Sequence, residues 1–184
     1  GKHLAVGNVY MPALDNRVLR YNSNGTFDTT FRTVGYSAFQ GTNATTTFRW
    51  VTQDTSGKIF LSLSQLGASN DVLRMNSNGT FDTSYNVSGY LQNSNGGPGA
   101  LAGRQVRTIN GTIVTVGMKN TAPNELFIQR VRTNGTLDTS FATIGYKFVT
   151  QGAVTNNGQF VAVQSDGKYV AVFQTSTGGA TDWD

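Results

Sequence analysis

Residues 72–85 read VLRMNSNGTFDTSY, and two other stretches of the chain align with them without a gap. Residues 18–31 read VLRYNSNGTFDTTF, and residues 128–141 read IQRVRTNGTLDTSF. Each copy is followed at the same interval by Gly-Tyr, at Gly35-Tyr36, Gly89-Tyr90 and Gly145-Tyr146. The central glycines Gly25, Gly79 and Gly135 lie 54 and 56 residues apart. Self-similarity at a fixed period of this size marks a repeat architecture.

A second motif alternates with the first: a turn ending in Gly, then an apolar run. Its copies begin at Gly57-Lys58-Ile59-Phe60, Gly111-Thr112-Ile113-Val114 and Gly167-Lys168-Tyr169-Val170, with Gly1-Lys2-His3-Leu4 as a further copy cut at its turn. Spacings of 56, 54 and 56 residues give the period independently. Each unit therefore holds two hairpins. In the middle unit we expect strands over 48–53, 58–63 and 71–76, turns at Asp54–Gly57 and Asn78-Gly79, and a fourth strand starting near Thr80. Asn-Gly tolerates the positive φ that a tight turn requires. The Val, Ile, Phe, Tyr and Thr of the runs suit a pleated, half-buried surface.

These features predict an all-β fold, a β-propeller of four-stranded antiparallel blades, with about three blades and partial blades at the ends. One four-stranded sheet cannot bury both faces, so neighbours stack. A β-solenoid is the alternative, although tight Asn-Gly hairpins favour antiparallel pairing. The chain reads as a single repeat domain, 1–184, with repeat hairpins at 18–31, 72–85 and 128–141. From Gly1 to Gly167 there are three periods. A propeller typically closes with about four to eight blades, so we expect a fragment of a longer propeller. Other protein subunits, or the rest of a longer chain, would cover its two open faces.

The string R-x-N-x-N-G-T-F-D-T-[ST]-[FY], four residues before a Gly, resembles the delta-60 repeat, a β-propeller repeat. Asp166-Gly167-Lys168 matches the second half of that pattern, Ser56-Gly57-Lys58 matches it in part, and Asn110-Gly111-Thr112 departs from it. The resemblance implies a propeller of the kind found in bacterial surface and phage-related proteins. It implies no catalytic residues.

Only 13% of the residues are charged, and Gly, Asn, Thr and Ser fill the difference; these are poor helix formers and good turn formers. The net charge is +4, but the 14 Lys and Arg are scattered singly. A nucleic-acid surface needs a basic patch, so no nucleic-acid partner is expected. With no Cys, disulfides and thiolate metal sites are excluded. No apolar run reaches the ~18 residues that a membrane span needs. The Asn and Thr enrichment resembles phage tail, fibre and decoration proteins. We therefore expect an extracellular, virion or cell-surface location and protein–protein interaction.

Candidate chemistry is sparse. Asp28, Asp82 and Asp138 follow the turn glycines, and Asn22, Asn24, Thr26 and Asp28 place oxygens at alternate positions. Calcium loops recruit several carboxylates, and each loop here has one. We therefore read these Asp residues, with Gly25, Gly79 and Gly135, as structural turn residues that accept backbone N–H bonds. Arg20, Arg74 and Arg130 each precede the repeated Asp by eight residues, which suits a repeated hairpin salt bridge. His3 is the sole histidine and Glu125 the sole glutamate, so no metal site, no cofactor and no catalytic residue is expected, and the chain reads as no enzyme. Trp50 and Trp183 are the candidate binding residues, for a glycan or a peptide at rim loops, while Tyr36, Tyr90 and Tyr146 suit packing between blades. Gly96-Gly97 and Gly178-Gly179 read as loops.

Overall fold

The computed structural model describes residues 1–10, 14–39, 46–65, 69–86, 88–91, 101–109, 111–119, 125–149, 155–176 and 181–183. The described residues form strands and turns, with no helix. The strands are β1 (His3–Tyr10), β2 (Leu14–Tyr21), β3 (Tyr36–Phe39), β4 (Thr46–Gln53), β5 (Ile59–Gln65), β6 (Ser69–Met75) and β7 (Tyr90–Leu91). They continue with β8 (Leu101–Ile109), β9 (Thr112–Lys119), β10 (Leu126–Val131), β11 (Tyr146–Val149), β12 (Thr155–Val163), β13 (Tyr169–Ser176) and β14 (Thr181–Trp183). Four antiparallel sheets result, in the orders β1-β2-β3, β4-β5-β6-β7, β8-β9-β10-β11 and β12-β13-β14. Every neighbour in a sheet is a neighbour in sequence, as short hairpin connections dictate.

The sheets stack face to face, and the period-2 alternation of each second strand serves both neighbours. On β5, Ile59, Leu61 and Leu63 pack towards the first sheet, in a cluster with Val18, Phe31, Leu4 and Val6. Phe60, on the opposite face of the same strand, joins Val72, Tyr85, Ile113 and Val131 between the second and third sheets. Val114 and Val116 of β9 meet Val161, Tyr169 and Ala171 between the third and fourth. The apolar runs at 59–63 and 113–116 are thus buried on two sides, which is why they read as nearly continuous hydrophobic sequence.

One expectation is corrected. The fourth strand of the second sheet does not start near Thr80. After the Asn-Gly turn the chain makes a single bridge, Met75 to Phe81, and β7 begins only at Tyr90. Between them two N–H groups bond within turns instead: Tyr85 N–H donates to Asp82 O at 2.9 Å, and Gly89 N–H to Tyr85 O at 2.8 Å. The same short bridge recurs as Tyr21–Phe27 and Val131–Leu137. A second feature has no counterpart in the repeat string. The first strands β4, β8 and β12 each carry a register shift against their partner, at Phe48/Trp50, Gly103/Gln105 and Gly158/Phe160. Such bulges bend a strand and sharpen its twist.

Candidate functional site

The densest polar arrangement in each repeat is the corner between its third and fourth strands, and the second repeat shows its construction. Arg74 extends from β6 and donates from Nε to Asp82 Oδ2 at 2.9 Å, while Lys58 Nζ donates to the same oxygen at 2.6 Å. The other carboxylate oxygen accepts from Ser84 N–H at 3.2 Å and Ser84 Oγ at 2.6 Å. The guanidinium lies over the Tyr85 ring, 4.6 Å from its centroid. Below the Asp, the turn closes on itself: Asn76 N–H donates to Thr80 O at 2.8 Å, and Asn78 Oδ1 accepts from Thr80 N–H and Oγ1 at 3.0 and 2.7 Å.

The other copies repeat this plan. Arg20 Nε donates to Asp28 Oδ2 at 2.6 Å and Arg130 Nε to Asp138 Oδ2 at 2.7 Å, each guanidinium lying over the corner's aromatic ring, Phe31 or Phe141. Lys2 occupies the place of Lys58, 3.2 Å from Asp28. The third corner has Thr112 there, and Arg132 approaches Asp138 at 3.4 Å instead. The Thr30 hydroxyl foremost, with Lys2 and Arg20 behind it, holds the Asp28 carboxyl well below the ordinary carboxylate range despite the opposing pull of burial. At Asp82, burial pushes upward and is outweighed by the Lys58 and Ser84 hydrogen bonds and the Arg74 charge. Asp138 is lowered too, chiefly by Ser140. The calcium-loop arrangement is therefore filled from within. The one carboxylate faces a guanidinium, and Asn24 Oδ1 faces the donors of Thr26 rather than a shared centre. Among the described residues no group of three or more His, Asp and Glu side chains is placed to hold a metal ion.

The first two corners also receive the Asn-Gly turn of the next repeat. Arg20 donates from Nη1 to Ser77 O, and Arg32 N–H to Asn78 O at 3.0 Å. One repeat later, Arg74 Nη1 donates to Thr133 O at 2.5 Å and Asn86 N–H to Asn134 O at 2.6 Å. The glycine of the incoming turn sits on the aromatic ring. A Cβ at Gly79 would lie 2.7 Å from Phe31, and one at Gly135 would lie 2.6 Å from the Asn86 nitrogen. The three turn glycines hold φ of 82° at Gly25, 85° at Gly79 and 87° at Gly135. Arg32, Asn86 and Ala142 hold φ of 51°, a left-handed conformation that costs a non-glycine residue about 1–2 kcal/mol. In the first two corners that conformation aims the N–H at the next turn. The sequence string stops one residue short of this position, because a backbone donor leaves no residue-type signal.

The candidate binding residues lie elsewhere. Trp50 is 37% exposed on β4, and its ring meets the edge of Phe160 of β12 at a centroid distance of 6.4 Å. The backbone of Trp183 lies in β14, and its side chain is outside the described residues, as are Gly96, Gly97, Gly178 and Gly179. Tyr36, Tyr90 and Tyr146 open β3, β7 and β11; Tyr90 packs against the core between the first two sheets, and Tyr36 lies under the Arg17 guanidinium at 4.5 Å. An open depression of about 420 Å³ beside the first joint is lined by Thr30, Arg32, Thr33, Asn78 and Thr80.

Residues 1–31 match a family model described as a domain of unknown function (DUF5122) beta-propeller. The matched stretch contains the Gly1-Lys2 motif, β1, β2 and the first corner as far as Phe31. No curated protein and no solved structure matches the chain.

Proposed function

We propose that this chain is a non-enzymatic structural or adhesive module of a virion or bacterial cell surface, with each sheet serving as a propeller blade of the delta-60 kind. The observation that carries the reading is the use made of the repeated polar residues. Arg20, Arg74, Arg130 and their Asp partners are engaged by one another, by Ser or Thr, and by the next repeat. Residues that recur for stapling build a scaffold, whereas a reaction centre needs groups left to act on a substrate. The low charge, the absence of Cys and the propeller match over the first 31 residues fit the same reading. Immunogold labelling of intact virions and unpermeabilised cells tests it. Surface label is expected, and label confined to the cell interior would overturn it.

Trp50 favours a second reading, glycan binding, because an exposed indole offers a stacking face for a sugar ring. A glycan array with the native chain and the Trp50→Ala variant separates the two. A hit lost in the variant would support the glycan reading, and silence on the array would leave the scaffold reading alone.

A further inference from the structure

The open depression of about 420 Å³ at the first joint has walls from two successive repeats: Thr30, Arg32 and Thr33 from the corner of the first, Asn78 and Thr80 from the turn of the second. Its volume falls in the range of small-molecule sites, about 300–1,000 Å³. None of these five residues carries a carboxylate. Asp28, the carboxylate of that corner, is already engaged by Arg20, Lys2 and Thr30. Arg32 is exposed, and its guanidinium has no hydrogen-bond or ion-pair partner among the described residues. The repeat does not account for it, since Asn86 and Ala142 hold the equivalent positions.

The joint holds Arg32 in place. Its backbone N–H donates to Asn78 O at 3.0 Å, and its stem lies against the turn, where a Cβ on Gly79 would come within 2.8 Å of its Cγ. On the other wall, Asn78 Oδ1 accepts from the N–H and the hydroxyl of Thr80 at 3.0 and 2.7 Å. That fixes the orientation of the amide and leaves its Nδ2, with two N–H donors, without an acceptor among the described residues. The three hydroxyls are spent as donors: Thr30 on Asp28 Oδ1 at 2.7 Å, Thr33 on Arg32 O at 2.6 Å, and Thr80 on Asn78. Thr30 and Thr80 each accept one bond as well, from Arg20 Nη2 and Asn76 Nδ2. Every hydroxyl oxygen therefore keeps a lone pair for one more donor.

We propose that this depression binds an acidic sugar, a uronic or sialic acid residue of a glycan. The Arg32 guanidinium and Asn78 Nδ2 take its carboxylate, and the Thr30, Thr33 and Thr80 oxygens accept from its hydroxyls. A guanidinium fork matches the two oxygens of a carboxylate. Sulfate answers the cation but brings no O–H for the threonine lone pairs. A neutral sugar brings O–H groups but no anion. Because the Arg32 stem is already packed, less freedom is lost when a ligand arrives. The site is separate from Trp50. Sugar binding here is compatible with a scaffold, so its failure would leave the scaffold reading untouched.

The test titrates the whole isotope-labelled chain with sodium D-glucuronate and follows the amide signals of Arg32, Thr33 and Asn78, including the Asn78 side chain, by NMR. Saturable shifts are expected, with a Kd of about 1 mM or somewhat weaker. D-glucose, sodium acetate and sodium sulfate should each bind more weakly than glucuronate. Arg32→Asn installs the residue that the second repeat carries at this place. It should weaken binding about tenfold or more, the scale of a hydrogen bond to a charged group. Trp50→Ala should leave binding unchanged. No saturable shift up to about 50 mM, well beyond the weak end of specific affinity, would overturn the proposal, as would undiminished binding by the Arg32→Asn variant. Equal affinity for glucose would show that the carboxylate is not read, and equal affinity for acetate or sulfate that the sugar is not; either result also overturns it. These comparisons use the native chain and hold even if the variant folds poorly.

Discussion

Residues 22–28 and 76–82 both read NSNGTFD, and their turn glycines share one conformation, yet the two turns stand in different surroundings. Gly79 is buried on Phe31 and Arg32, whereas a Cβ on Gly25 would meet nothing within 4 Å. The local sequence sets the turn in both places. Among the described residues, only the second lies against the corner of another repeat. A repeat protein stabilises itself through such nearest-neighbour interfaces, so identical strings carry unequal free energy.

The largest effect that sharpens this comparison is at the glycines. Ala at Gly25 meets only the left-handed backbone, a cost of about 1–2 kcal/mol. Ala at Gly79 or Gly135 adds overpacking of about 1–3 kcal/mol. Thermal melts of Gly25→Ala, Gly79→Ala and Gly135→Ala should therefore separate, with the first nearest the native chain. Equal melting temperatures would mean that the joints contribute little.

Next in size are the corner carboxylates. Asp82→Asn leaves Arg74 and Lys58 without their anion, and bonds to charged groups are worth about 1.5–3 kcal/mol. The pH dependence has a definite sign. Asp28, Asp82 and Asp138 are depressed in the folded chain, so below about pH 4 the unfolded chain takes up protons that the folded chain does not. Their stabilisation is complete at neutral pH, starts to fall as pH drops through the unfolded value, and goes on falling towards the folded ones. Melting temperature should be flat from pH 7 to about pH 5 and decline steadily below about pH 4. Asp82→Asn should shallow that decline. A native melt as stable at pH 2.5 as at pH 7 would contradict the assignment.

Much of this was legible in the chain and some was not. The turn at Asn78-Gly79, the strand at 58–63 and the Arg74–Asp82 pair could be read from residue types, because each depends on what a side chain is. The position of β7 could not. TFDTSY looks strand-forming after a hairpin turn, but Asp82 draws Ser84 N–H and its own carbonyl draws Tyr85 N–H, so the chain turns again before Tyr90. The bulges at Arg49 and Gln159 and the left-handed residues Arg32, Asn86 and Ala142 were hidden for a related reason. They are backbone features with no shared residue type.

A smaller effect comes from the ring beneath each guanidinium. Tyr85 is fully buried, its hydroxyl has no hydrogen-bond partner among the described residues, and burial raises its ionisation well above the ordinary tyrosine value. Phe31 and Phe141 fill the same place without a hydroxyl. Removing an unsatisfied buried group returns about 1 kcal/mol, so Tyr85→Phe should raise the melting temperature by roughly 2–4 °C. A drop of that size would show that the hydroxyl has a partner, a bound water for example.

The smallest expected effect compares the second and third corners directly. Asp82 is met by Lys58, whereas Asp138, with Thr112 in the place of that lysine, is met by Arg132, itself 46% exposed. Both arrangements put a second cation beside a carboxylate already bonded to an Arg of β6 or β10. Exposed pairs of this kind are worth about 0–1 kcal/mol, because water screens the charges and long side chains lose freedom. The double change Thr112→Lys with Arg132→Asn rebuilds the third corner on the plan of the second. The charge count is unchanged, so chemical denaturation should show a stability within about 0.5 kcal/mol of the native chain. Each single change should move it in opposite directions by a similar amount, since one adds a cation and the other removes one. If the double variant loses several kcal/mol, the Arg132 stem is packing the corner rather than balancing its charge, and the two corners are different structures that share a string.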